Sequence, residues 1–311
     1  MPSPPITPLK LPRGVRTLLV YGGSFDPPHI YHAIAPLTIL NRLYGEAGWL
    51  LYVPAATSPL KRRGPVASDE HRLAMLKLAL DVPGRRSIWT DEIDRARWLR
   101  ERGQDRASYT IDTLRRLRRI VPDRVAMRLL IGADQAALFH KWKDFRAVIR
   151  IGEPLVMLRP PVETVNQLYS ALDKRAWTRA ELAAWCTRMA PNFPMPPAST
   201  ELRSAIAGAP EDPEAWPRDP VLGNLVTGVA RYIIEHNLYG HRPGQPRRAD
   251  REAVARMGLR GDDPRVLRSL NDPASLVNKA VRAFDEGVAR AMDVLRGGDL
   301  RRGKTKRPRR A

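Results

Sequence analysis

One cysteine, Cys186, stands in 311 residues, which excludes an intramolecular disulfide and any zinc site built on thiolates. A lone cysteine of this kind reads as a small apolar packing residue. No apolar run approaches the roughly 20 residues that a membrane-spanning helix needs. The opening stretch, MPSPPITPLKLPRG, is rich in proline and carries no apolar core of the sort a secretory leader has. These absences set aside disulfide frameworks and membrane spans, and the expected compartment is the cytoplasm. There is no HExxH pair and no extended cluster of carboxylates, so no metal centre built by the protein itself is expected.

Acids are also in short supply: 33 Asp and Glu face 53 Lys and Arg, a net charge of +20. Such a surplus ordinarily points to nucleic acid. Its distribution tempers that reading, because residues 241–311 hold 19 Lys and Arg against 9 Asp and Glu, half of the net charge. The final LRRGKTKRPRRA has no acid at all. Elsewhere the excess is spread over segments such as DTLRRLRRI, where a solvated helix face accounts for it. The tail lacks interleaved aromatics, which argues against base stacking. A weak contact with nucleic acid or another protein is the partner class it leaves open, as is an oligomer.

Short apolar runs alternate with segments of helical period, the pattern of a parallel α/β sheet. The expected strands are 17–23, 49–55, 86–92, 127–134 and 153–160. Expected helices cover 31–44, 69–81, 109–120, 135–149, 163–173, 178–189, 200–207 and 222–237. The fold class that follows is a Rossmann-like, doubly wound parallel sheet with a C-terminal helical and basic extension. Residues 1–16 read as a flexible segment, 17–240 as one catalytic domain, and 241–311 as the extension. Within the extension, 273–296 has apolar residues at helical spacing.

The densest chemistry lies in VYGGSFDPPHIYH, residues 20–32. An apolar strand runs into Gly22-Gly23, where the backbone turns and approaches a ligand without an intervening side chain. Asp26, Pro27 and Pro28 suit a helix start, whose unpaired N–H groups and dipole attract an anion. His29 and His32, three residues apart, share one helix face. Together they form a cradle for phosphate. A second such element is S-T-x-x-R, in which Ser199 and Thr200 cap a helix and Arg203 adds a charged hydrogen-bonding fork.

Seven elements in order, GGSFDPPH, VPAATSPLK, DEHRLAMLKLA, SYTIDTL, IGADQAALFHKWKDF, STELR and YIIEHNLYG, resemble bacterial nicotinate-nucleotide adenylyltransferases. These belong to the nucleotidyltransferase superfamily marked by an HxGH signature, and the likeness spans about residues 17–240. The resemblance implies adenylyl transfer from ATP to nicotinate mononucleotide, with release of pyrophosphate and formation of deamido-NAD. Such a reaction calls for positioning and charge stabilisation rather than a side-chain nucleophile.

By this resemblance His29, His32, Lys61 and Arg203 handle the reacting phosphates, with Arg62 and Arg63 beside Lys61 either substituting for it or merely solvated. Gly22, Gly23, Ser24, Phe25, Tyr31, Gly132, Asp134, Ser199 and Thr200 fall to the ATP side, although Phe25 also reads as loop packing and Asp134 as a helix cap. Tyr109, Thr110 and Trp142 surround the pyridine ring of the acceptor, Trp142 having a core-filling alternative. Arg72 is assigned either to substrate or to a salt bridge. Mg²⁺ is expected as a cofactor held mainly by substrate phosphates. Tyr31 stands where the family has glycine, which leaves open an accommodated ring, a changed nucleotide preference or an impaired catalyst. Nicotinamide mononucleotide or another phosphomonoester is the nearer alternative acceptor. A non-catalytic nucleotide- or RNA-binding homologue is the alternative from another class.

Overall fold

Along β1 (Thr17–Gly23) Leu18 and Val20 join one apolar cluster, whereas Leu19 and Tyr21 join another. That two-residue alternation is what a strand buried on both faces must show. The computed structural model describes residues 3–56, 64–81, 84–104, 106–191 and 199–241. Its other strands are β2 (Gly48–Pro54), β3 (Arg86–Ile88), β4 (Ala126–Gly132) and β5 (Glu153–Met157). All neighbours pair in parallel, in the order β3-β2-β1-β4-β5. The expected doubly wound sheet is therefore the one observed, and its order reverses between β1 and β4, where such folds hold ligands at the carboxyl edge.

The helices are α1 (Ile30–Tyr44), α2 (Asp69–Ala79), α3 (Asp91–Arg100), α4 (Thr110–Arg118), α5 (Ala133–Ala137), α6 (Phe145–Ile151), α7 (Val165–Ala171), α8 (Arg179–Thr187), α9 (Ser199–Ile206) and α10 (Thr227–Glu235). One face of the sheet packs Leu51, Leu129 and Val156 against Leu114 of α4 and Val148 of α6. The other packs Leu50, Tyr52 and Leu155 against Ile39 and Leu40 of α1 and Leu76 of α2. A third cluster joins Met75 of α2 to Leu202 and Ile206 of α9 and to Val229 and Ile233 of α10. That cluster seats the STELR helix beside the sheet.

Local chemistry corrects several expected boundaries. The strand expected over 86–92 stops at Ile88, because Asp91, Glu92 and Asp94 open a helix that Arg97 and Arg100 close, matching the dipole at both ends. The helix expected over 135–149 is interrupted, with Trp142 and Lys143 in the gap and Asp144 in the left-handed region at φ 50°. The expected 222–237 helix divides into a 3-10 turn at Leu222–Asn224 and α10. The helical segment read at 273–296, with the rest of the extension, lies outside the described residues.

The N-terminal segment, assigned as flexible on its proline content, carries fixed partners from residue 4 onward. Asp91 is fully buried and accepts two bonds from Arg116, at 2.6 and 2.7 Å, plus the Thr7 N–H at 2.9 Å. Arg116 also donates to the carbonyls of Pro4 (3.1 Å) and Pro5 (2.5 Å), and the Trp89 indole donates to Thr7 O at 2.8 Å. Prolines cannot donate from their backbone, so in this strap Pro4 and Pro5 are held through their carbonyls while Thr7 supplies the N–H and hydroxyl donors, to Asp91 and Asp94. Asp91→Ala would strand the Arg116 guanidinium at a desolvated site. Urea unfolding should show a loss of about 3–5 kcal/mol, and an unchanged midpoint would mean that the strap adds nothing to stability.

Candidate active site

The carboxyl ends of β1 and β4 bring the phosphate cradle together. At the end of β1, a Cβ on Gly23 would stand 2.9 Å from the Phe25 ring, so the turn needs glycine there; one on Gly22 meets only Val53 O at 3.8 Å. Phe25 itself adopts φ 49° and is buried against His32, Tyr21 and Tyr52 at centroid distances of 5.2, 5.8 and 5.9 Å. This matches its loop-packing reading: the ring lies in the core under His32, and burial offsets the unfavourable backbone angle.

His29 caps α1 and His32 lies in its first turn, their rings 3.7 Å apart. The His29 N–H donates to His32 Nδ1 at 3.2 Å. A ring nitrogen that accepts carries no proton, so the His32 proton sits on Nε2. Tyr52 fixes the same turn by donating its hydroxyl to His32 O at 2.8 Å. Burial, and then the positive charge of Arg159, push the His29 pKa down to about 3. The His29 ring is therefore uncharged at neutral pH. Tyr31 is half-buried, edge-on to His29 at 6.4 Å, and burial raises its phenol pKa.

Two elements distant in sequence close on this loop. Arg203 of α9 donates to Asp26 O at 2.7 Å and to Thr200 Oγ1 at 3.1 Å, and the Ser199 hydroxyl reaches Pro27 O at 3.4 Å. Arg72 is fully buried on α2 and donates to Ser24 O (2.6 Å) and Ala55 O (2.7 Å), with Asp69 completing the set at 2.6 Å. Of its two assignments the salt bridge holds and the substrate contact is corrected, because burial leaves the guanidinium tying together the loops after β1 and β2. Lys61 lies outside the described residues, as do Arg62 and Arg63.

On β4, a Cβ on Gly132 would stand 2.4 Å from Asp134 Oδ1 and 2.5 Å from Arg159 Nε. Arg159 folds over this glycine to meet the Asp134 carboxylate at 2.9 and 3.0 Å, and a side chain there would displace that pair. Asp134 makes no cap bond, so its cap reading gives way to this ion pair. Tyr109 caps α4, Thr110 begins it, and Lys143 Nζ stands 4.6 Å over the Tyr109 ring. Trp142, the neighbour of Lys143, stacks on Phe139 at 4.7 Å while its indole nitrogen finds no protein partner. The structure thus brings His29, His32, Ser199, Thr200 and Arg203 to the loop after β1, and packs Tyr109 and Trp142 against one apolar cluster.

Arg159, Glu92, Asp26 and Tyr239 received no site role from the sequence. Arg159 lies two residues beyond the carboxyl end of β5, a position that could have signalled it. Glu92 is buried and accepts the Thr113 hydroxyl at 2.5 Å, linking α3 to the SYTIDTL helix. Burial raises its pKa. The letters GDLRRGKT (298–305) spell a P-loop pattern, but helical rather than strand periodicity precedes them, and they lie outside the described residues. Among the described residues no group of three or more His, Cys, Asp or Glu could hold a metal ion, and no helix is long and apolar enough to cross a membrane.

A profile of the cytidylyltransferase-like family matches residues 20–203. A Bordetella avium protein named "Probable nicotinate-nucleotide adenylyltransferase" is 33% identical over 221 residues, covering 70% of this chain and 95% of its own. The chain belongs to this family. A relative of the same name from Chromobacterium violaceum is 30% identical, over 71% of this chain and 97% of its own. Another, from Rhodopirellula baltica, is 41% identical over 50% of this chain, a match that spans 65% of that relative. The fold also matches Plasmodium falciparum nicotinic acid mononucleotide adenylyltransferase complexed with NaAD, with a TM-score of 0.50 and 15% identity. That match covers 73% of this chain and 98% of the other. The family core therefore ends well before residue 311.

The neutral state of His29 has a measurable consequence. Unfolded histidine binds a proton near pH 6.5, whereas the folded His29 does so only near 3. Its contribution is complete above pH 6.5 and is lost as the pH falls from there toward 3. Urea midpoints without nucleotide should drop faster over this range in wild type than in His29→Gln, by at most about 1.4 kcal/mol per pH unit. Parallel curves would show that the ring titrates in the folded state.

Proposed function

We propose that this chain transfers the adenylyl group of ATP to nicotinate mononucleotide, giving deamido-NAD and pyrophosphate. The observation that carries the reading is the Arg203–Asp26 bond of 2.7 Å, which joins two phosphate elements 177 residues apart into one edge. The family relationship supports the choice of acceptor.

The acceptor phosphate is mostly dianionic at neutral pH, its second pKa being about 6. One of its oxygens attacks the α-phosphorus directly, the bond to the bridging oxygen of the β-phosphate breaks, and pyrophosphate departs with the electron pair. No general base is required. His32 offers its Nε2–H, since Nδ1 is committed to the His29 N–H. Arg203 supplies fixed positive charge, and the start of α1 supplies N–H groups and a favourable dipole. The side chains present are cationic or neutral donors, and Asp134 is engaged by Arg159. Mg²⁺, when bound, would supply charge neutralisation as an ion carried by the phosphates themselves. The reaction is placed in the cytoplasm, in keeping with a chain that holds a single cysteine.

Incubation with ATP, Mg²⁺ and nicotinate mononucleotide should release pyrophosphate, and more slowly with nicotinamide mononucleotide. His32→Ala should reduce kcat by roughly 10²–10³, the scale for losing one donor to developing charge, with an unaltered circular dichroism spectrum. Absence of pyrophosphate with every acceptor would overturn the assignment.

A further inference from the structure

Asp26 is buried, and its carboxylate is held from three directions. Oδ2 accepts the Val66 N–H at 2.7 Å, while Oδ1 accepts the Ala67 N–H at 3.1 Å and the Tyr239 hydroxyl at 2.8 Å. Three donors of fixed direction leave the side chain one orientation, and so restrict the main chain of the same residue. That main chain offers the carbonyl to which Arg203 donates at 2.7 Å. Tyr239 comes from the YIIEHNLYG stretch, beyond the family profile's last matched residue, 203, and the reaction gives it no role.

Tyr239 adopts φ 58° and Asn237 adopts φ 48°, both in the left-handed region. Such angles are unfavourable for non-glycine residues and persist where surrounding contacts enforce them. The turn at Leu238–Gly240 thus accepts an unfavourable backbone while delivering one hydroxyl to one buried carboxylate. Burial and the Asp26 charge raise the Tyr239 pKa, so the phenol remains a donor throughout the neutral range.

We propose that Tyr239 and Asp26 form a positioning pair that sets the guanidinium of Arg203 for phosphate binding, making the 238–240 turn a working part of the active site. Tyr239 touches no substrate in this scheme. It acts through Asp26, whose orientation passes to Arg203 through a single carbonyl. The inference rests on the adenylyl-transfer reading for its kinetic consequence, and on anion binding alone for its structural one.

The test is a double-mutant cycle on the full chain, with Tyr239→Phe and Arg203→Ala. Phenylalanine keeps the ring and removes one hydrogen bond to a charged group. Tyr239→Phe should lower kcat/KM for pyrophosphate release roughly 10-fold, the scale of such a bond. In the Arg203→Ala background it should cost nothing further, because the group it positions is absent. The affinity for inorganic tripolyphosphate, read by calorimetry, should show the same non-additivity. This second readout stands even if wild type transfers no adenylyl group, which separates failure of the pair from failure of the reaction. Thermal unfolding of Tyr239→Phe guards against a trivial loss of fold. Equal fractional losses in both backgrounds would make Tyr239 merely structural and overturn the proposal, as would full retention of activity and tripolyphosphate affinity in Tyr239→Phe.

Discussion

Everything in this site depends on how the chain leaves β1. Within a few residues it turns at Gly23, buries Phe25, anchors Asp26 and enters α1 at His29. Each step constrains the next, because Phe25 underpins His32 and Asp26 receives Arg203. A loop so constrained presents N–H groups and imidazoles without reorganising when an anion arrives. That preorganisation is what phosphoryl chemistry asks of a protein.

The charges around the cradle are balanced rather than accumulated. Arg159 is paired with Asp134, and Arg72 is absorbed by carbonyls and Asp69. His29 stays neutral because burial and Arg159 both oppose its protonation. The large positive surplus of the whole chain is therefore a poor guide to the site. Arginines do three jobs here: Arg203 faces the phosphate elements, Arg72 cross-ties two loops, and Arg116 clamps the N-terminal strap.

The sheet was legible in the sequence because a strand buried on both faces is a continuous apolar run with a sharp turn after it. The cradle was legible for the same reason, since Gly22-Gly23 and the two histidines crowd into a few residues. Helix α3 was not, because its acidic start follows directly on β3 without a turn residue to separate them. Arg72 and Phe25 were each left with a ligand reading and a packing or salt-bridge reading, since a motif does not say which way its side chains face. Asp26 and Tyr239 could not have been paired from sequence at all. Their bond spans 213 residues, and neither carries a local pattern that betrays the other.

Segments on either side of the matched family region are fastened back into it. Thr7 finds its acceptor 84 residues later at Asp91, and Asp26 finds the Tyr239 hydroxyl only near the last described residues. A ribosome emits the chain in one direction, so the cradle leaves the exit tunnel long before the residues that lock it. The nascent protein must hold the loop after β1 incomplete until nearly the whole α/β unit has been synthesised. The hydroxyl that locks Asp26 thus reaches it late, 213 residues after the carboxylate itself has been made.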